Sequence, residues 1–169
     1  MKNENSFYTK AQFTWLLVLR IFIGWHFLYE GAVKVLNPKW TSLPYLMDSK
    51  GFASPLFSYM AEQTELINIV DLLNQWSLVF IGLGLILGCF ARLASIGGIA
   101  LLSLFTLSHP SFIGADYMMR FEGSYLWVDK NLIELAALGV LLCFPTSHEI
   151  GVDRILVKCF PWARKTKLI

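Results

Sequence analysis

Four apolar blocks punctuate the chain, and their lengths predict what they are. Residues 13–36 read FTWLLVLRIFIGWHFLYEGAVKVL and residues 71–90 read DLLNQWSLVFIGLGLILGCF. Residues 92–108 read RLASIGGIALLSLFTLS and residues 127–145 read WVDKNLIELAALGVLLCFP. A bilayer core is crossed by roughly 17–25 residues of helix, and each block fits that length. Pro110 and Pro145 end the third and fourth blocks, where a missing N–H is tolerable. Only the turn near Ala91–Arg92 separates the second block from the third, which predicts an antiparallel hairpin. The expected architecture is all-α, a polytopic membrane four-helix bundle forming a single domain over residues 1–169. Residues 1–12 are polar, the first block is too long for a signal-peptide core, and no small-residue cleavage site follows it. That block is read as a retained span.

Basic residues orient the bundle, because they accumulate on the cytoplasmic side. With the N-terminus inside, the inner segments hold Lys2, Lys10, Arg92, Arg154, Lys158, Arg164, Lys165 and Lys167. The outer loops hold Lys39, Lys50 and Arg120. Both termini are therefore expected in the cytoplasm, with residues 146–169 as a cytoplasmic tail. Trp15 and Trp162 fall near the inner interface, and Trp40, Trp76 and Trp127 near the outer one, as an aromatic belt requires. Two segments, about 37–70 and 109–126, lie outside. The first contains PLFSYMAEQTELINIV, which can form an amphipathic helix on the membrane surface. The second, HPSFIGADYMMRFEGSYL, is rich in aromatics and methionine. Segments this long more often cover a site than merely connect helices.

Composition supports the membrane reading and narrows the chemistry. The chain is 56% hydrophobic and 15% charged, against about 45–50% and about 25% for ordinary soluble domains. A net charge of +2 gives no field for nucleic acid. Cys89, Cys143 and Cys159 are far apart and form no C-x-x-C pair, which argues against a disulfide-shuttling thiol oxidase.

The polar residues inside the blocks carry the functional signal. Arg20, His26, Glu30 and Lys34 in the first block fall within about 120° of helical arc and so share one face. A charge at mid-bilayer costs about 2.5–3.5 kcal/mol, so that face should point into the bundle. Asp71, Asn74 and Gln75 open the second block. Asp129, Lys130, Asn131 and Glu134 open the fourth, and His109 closes the third. Apart from Arg20 and the mid-membrane His26, these residues belong to the outer half, and the inner half is almost all apolar. Their coincidence predicts a polar pocket opening outward beneath the two outer segments.

Each residue also has a structural reading. Glu30–Lys34 and Lys130–Glu134 are i,i+4 pairs that can simply neutralise each other. Arg20 can snorkel to the inner headgroups. Asp71, Asn74 and Asp129 can merely touch water at span ends, His26 can be a satisfied core histidine, and His109 can cap its helix. A metal site on His26, Glu30 and Glu134 would be short of ligands. The glycines Gly82, Gly84, Gly88, Gly97 and Gly98 suit close helix packing. The sequence shows no nucleophile–base pair, no phosphate-cradling loop and no haem-style histidine pair.

LRIFIGWHFLYEGAVKVLNPKW followed by SLPYLMDSKG resembles the start of the DoxX/DoxD family. LGLILGCFARLAS is similar to that family's turn between its second and third helices, and WVDKNLIELAALGVLL to its fourth helix. The resemblance covers most of residues 13–145. Arg20, Gly24, Gly31 and Lys34 match the first-helix pattern, and Asn131 and Glu134 the fourth-helix polar positions. It implies a four-helix protein of a bacterial-type inner membrane, tied to respiratory redox chemistry. DoxD-like members form the membrane part of thiosulfate:quinone oxidoreductase.

Two functions follow. In the first, the chain is the membrane subunit of a quinone-linked oxidoreductase acting on thiosulfate or another small reductant. Glu30, Lys34, Glu134 and His26 are then the catalytic candidates. Glu30 and Glu134 would relay protons, and Lys34, Lys130 or His26 would donate to a quinone carbonyl or stabilise a sulfur oxyanion. Arg20, Asn74, His109, Lys130 and Asn131 are candidates for substrate or quinone binding. Quinone is the expected cofactor, with no metal, haem or flavin evident. The expected partners are the lipid bilayer, a redox protein or second subunit, and a second copy of the chain. In the second function, the chain is a non-enzymatic scaffold or binds a small solute or lipid.

Overall fold

The computed structural model describes residues 8–111, 117–118 and 126–159. The expectations placed on Lys2, Arg120, Trp162, Arg164, Lys165 and Lys167, and on most of segment 109–126, lie outside the described residues. Among the described residues every regular element is helical. They are α1 (Lys10–Leu36), α2 (Leu43–Met47), α3 (Ser54–Glu62), α4 (Thr64–Leu87), α5 (Ala91–Ser108), α6 (Lys130–Cys143) and α7 (Val152–Cys159).

Local chemistry sets where the long helices begin and end. The Thr9 side chain accepts from Gln12 N at 3.3 Å, while the Gln12 side chain accepts from Thr9 N at 2.9 Å, a reciprocal cap that starts α1. Asn37 and Pro38 stop it. Gly88 ends α4 in the left-handed region at φ 61°, with Cys89 N donating to Gly84 O at 2.9 Å. Asp129 caps α6 by accepting from Leu132 N at 2.9 Å.

Of these helices α1, α4 and α5 are long and apolar enough to cross a membrane. With 27 residues, α1 rises about 40 Å, beyond the roughly 30 Å of a hydrocarbon core. The 14 residues of α6 rise only about 21 Å. That is shorter than the block 127–145 predicts, because the Asp129 cap leaves Trp127 and Val128 ahead of the helix and Phe144 follows its end. The second span begins earlier than expected, at Thr64. The stretch PLFSYMAEQTELINIV is therefore divided, with α3 on one side of the extended Gln63 and the first two turns of α4 on the other. The second part continues α4 because no breaker separates it from residue 71. Ile67 there packs with Leu46 and Phe57 in a small cluster beneath α2 and α3.

In the packing, α1 lies along α4, α4 and α6 flank α5, and α6 returns to touch α1. The core between them is Ile23, Phe27, Leu78, Ile81, Leu85, Leu102, Leu138 and Leu141 with Ala94. Backbones of α1 and α4 meet at Gly82: a Cβ there would collide with Leu28 N and stand 2.7 Å from Gly24 O. Large side chains such as Phe22, Trp25, Leu73, Phe80 and Ile133 face outward. Such a surface suits acyl chains and would be a liability in water.

One end of this assembly is closed by residues 146–159, the region expected to be a tail. Arg20 is 3% exposed and donates from Nη1 to Thr146 Oγ1 at 2.9 Å and from Nη2 to Ile150 O at 2.8 Å. Asp153, wholly buried, accepts from Phe90 N at 2.6 Å and Ala91 N at 3.2 Å, which serves the first orphan N–H groups of α5. Its own N–H donates to Gly88 O at 2.9 Å. Gly88 is required by space as well as by φ, since a Cβ there would lie 2.9 Å from Gly151 Cα.

Candidate functional site

At the opposite end, α1, α4, α5 and α6 diverge around a cavity of about 420 Å³. Its floor is apolar, with Phe27 from α1, Leu78 from α4, and Leu102 and Phe105 from α5. Its rim is polar. The spacing of His26, Glu30 and Lys34 on α1 brings all three to the cavity, as one shared helical face predicts.

The rim holds two paired systems. His26 Nδ1 lies 2.9 and 3.0 Å from the two oxygens of Glu134, across the gap between α1 and α6. A carboxylate can only accept, so Nδ1 carries hydrogen toward it, and Nε2 is the ring atom left for a ligand. The histidine side chain is 45% exposed and Glu134 only 11%. On α1, Lys34 Nζ donates to Glu30 Oε2 at 3.1 Å and lies 5.7 Å from the ring centre of Trp40. Lys130 and Asn131 line the α6 wall, and Asn74 the α4 wall. The Asn74 Oδ1 is buried without a hydrogen-bond partner among the described residues, an acceptor facing a polar cavity.

The roof is built from the segment after α1. Asp71 holds it down, accepting from Ser42 N at 2.7 Å and from Ser42 Oγ at 2.5 Å. Ser49 Oγ and Lys50 N both donate to Ser108 O, at 2.8 and 3.1 Å. Tyr45 of α2 stacks on His109 at 3.9 Å between ring centres, and the Tyr117 ring lies tilted 4.8 Å from the same imidazole. His109 is 1% exposed, with Nδ1 3.0 Å from Ser108 Oγ and Nε2 3.9 Å from Asp48 Oδ2. Burial pushes the His109 imidazole below its ordinary value, against the pull of Asp48. Burial pushes the Tyr45 and Tyr117 phenols up. It also pushes the Cys89 thiol up.

Eight of the nine residues singled out from sequence therefore surround one cavity: His26, Glu30, Lys34, Asn74, His109, Lys130, Asn131 and Glu134. Arg20 does not join them. Its guanidinium is committed to Thr146 and Ile150 at the other end of α1, so its role here is to hold the closing segment. Trp40, Thr41, Ser42 and Tyr45 also line the cavity and were not singled out as site residues. In the sequence, Trp40 reads as part of the outer aromatic belt. Among the described residues no group of three or more His, Cys, Asp or Glu could hold a metal ion.

What such a rim can do is hold and move a proton. The carboxylate of Glu134 fixes the imidazole tautomer and steadies it if it gains a proton, while Lys34 offers a positive charge to any anion left in the cavity. The floor accepts an apolar ring or chain.

The sequence model of the DoxX family matches residues 15–110, which contain most of α1 and all of α2 to α5. The residues α6 contributes to the cavity lie beyond that match. No curated protein and no solved structure matches the chain. The match spans more than half of the sequence and carries the three long apolar helices, and the chain belongs to the DoxX family of membrane proteins.

Proposed function

We propose that this chain is the membrane subunit of a quinone-linked oxidoreductase, with the cavity as its quinone site. The observation that supports this most is the His26–Glu134 pair standing at the rim of an apolar floor. A quinone is an apolar ring and tail with two carbonyl acceptors. The floor of Phe27, Leu78, Leu102 and Phe105 suits the ring, and His26, Lys34 or Lys130 can donate to a carbonyl. Ligand sites of this kind occupy roughly 300–1,000 Å³, and the cavity falls in that range. Glu30 and Glu134 sit where protons are exchanged with the rim. The bound ring supplies the redox chemistry; the residues orient it, exclude water beneath it and handle the protons.

The same proposal carries the topology. Lys10, Arg92, Arg154 and Lys158 lie in segments at the closed end, so the positive-inside rule puts that end in the cytoplasm and opens the cavity outward. In this arrangement α6 serves as the fourth span of a four-helix bundle, its short length extended by the loop residues before Asp129. A small reductant such as thiosulfate, or a partner redox protein, delivers electrons from the outer side.

Binding of a quinone analogue to the full chain, purified in mild detergent, tests this reading. Saturable binding is expected. Glu134→Gln trades a charge-assisted bond to His26 for a neutral one, a loss of about 1.4 kcal/mol or about ten-fold in Kd. Lys34→Ala should weaken binding by a similar factor. No saturable binding by a protein that retains its helix content would sink the quinone assignment, and a scaffold or solute-binding role would replace it.

A further inference from the structure

At the closed end, α7 presents an unusual face. Its single acid, Asp153, is wholly buried and turned toward the α4–α5 turn. That commitment fixes which side of α7 looks out. Arg154 and Lys158, one turn apart, are exposed, and so are Ile155 at 60% and Cys159 beside them. A basic stripe and an apolar stripe thus run side by side along the outward surface, the pattern of a helix that lies at a membrane interface.

Its level is fixed too. Asp153 N donates to Gly88 O, and the Asp153 carboxylate holds Phe90 and Ala91, so the first turn of α7 sits where α4 ends and α5 begins. Exposed Arg92 belongs to the first turn of α5, and exposed Lys10 begins α1, whose N-terminal half carries Arg20 to the same segment. Among the described residues, Glu149 is the exposed acid of this region. Beyond it, from Arg154 to Ile169, the sequence has five cations, Arg154, Lys158, Arg164, Lys165 and Lys167, and no acid.

We propose that the outward face of α7, with Arg92 beside it, binds the headgroups of anionic phospholipids in the leaflet where α4 and α5 meet. The occupant is the bilayer the chain itself crosses. Charge complementarity selects anionic over zwitterionic lipid, and the Ile155–Cys159 stripe reaches the acyl boundary. This site is separate from the cavity and does not depend on what the cavity binds.

The test places a polarity-sensitive dye on Cys159 of the full chain, with Cys89→Ser and Cys143→Ser removing the other thiols. The protein is reconstituted in nanodiscs of phosphatidylcholine alone, or of phosphatidylcholine with phosphatidylglycerol. Blue-shifted emission is expected only with phosphatidylglycerol, and it should fade as salt is raised. Arg154→Gln and Lys158→Gln should each weaken the phosphatidylglycerol dependence about five-fold, the factor expected per interfacial cation. Charge removal at the other end, by Lys39→Gln with Lys50→Gln, should leave it unchanged. Equal emission in the two lipids, or a difference that survives both high salt and the α7 substitutions, would overturn the assignment. The salt response of the wild-type face decides the matter even if a variant fails to fold.

Discussion

Asp153→Ala is the substitution that should damage this fold most for its size. The carboxylate is 0% exposed and serves two backbone N–H groups, Phe90 at 2.6 Å and Ala91 at 3.2 Å. Hydrogen bonds to a charged group contribute about 1.5–3 kcal/mol each. Because the two bonds share one carboxylate, the expected loss is about 3–5 kcal/mol. The damage is compounded at Phe90, a non-glycine residue at φ 50° that the Asp153 bond helps to hold. Asp153→Asn keeps one acceptor oxygen and should lose about half as much. Thermal unfolding in mild detergent, followed by tryptophan fluorescence, reads both variants. At about 2–4 °C per kcal/mol for a chain of this size, Asp153→Ala should lower Tm by about 10 °C. Cys89, adjacent to Phe90, should also become faster to react with maleimide than in the wild type. An alanine variant that unfolds within about 2 °C of wild type, or an asparagine variant as damaged as the alanine one, would refute the reasoning.

Three further outcomes are expected. Gly82→Ala drives a methyl against Leu28 N and Gly24 O, so α1 and α4 must separate; the cost should be about 1–3 kcal/mol. Gly139→Ala, with open space around its new Cβ, should match or exceed wild type in the same Tm measurement. The depressed His109 imidazole gives a pH dependence with a definite sign. Its unfolded value is about 6.5 and its folded value lies lower, so its contribution is fully present above about 6.5 and is lost as pH falls through the folded value. A Tm that declines on acidification from neutral pH, with a shallower slope in His109→Gln, is the expected result; equal slopes would remove His109 as the cause.

Much of the cavity was legible because helical periodicity makes neighbours of residues three or four apart. His26, Glu30 and Lys34 had to share a face, and apolar lengths put the starts of the second and fourth blocks at the same level. What periodicity omits is position along the axis and every contact made by a non-periodic segment. Arg20 lies on that face too, but ten residues from Glu30 it is about 15 Å away along α1. Its partners Thr146 and Ile150 come from a stretch with no pattern to read. Asp153 was invisible for the same reason, since a lone acid in a basic tail looks solvated. Asp71 was grouped with Asn74 as part of a polar opening, yet its carboxylate is committed to Ser42. Tyr45 was hidden because its place depends on how α2 folds back over His109.

These contacts also sort the polar groups by what they can afford to do. Arg20, Asp71, Asp153 and Ser49 bind backbone or loop atoms, so disturbing any of them unfastens a segment of chain. The pairs His26–Glu134 and Lys34–Glu30 join side chain to side chain at the edge of a cavity, and each has one member about half exposed. The His26–Glu134 pair links α1 to α6, while Lys34–Glu30 stays within α1. Such pairs contribute little to stability, about 0–1 kcal/mol when exposed. Their presence at one end of an otherwise apolar set of helices is therefore poorly explained by folding. The proposed quinone site accounts for it: the closed end carries the Arg20 and Asp153 contacts, and the cavity end carries the side-chain pairs.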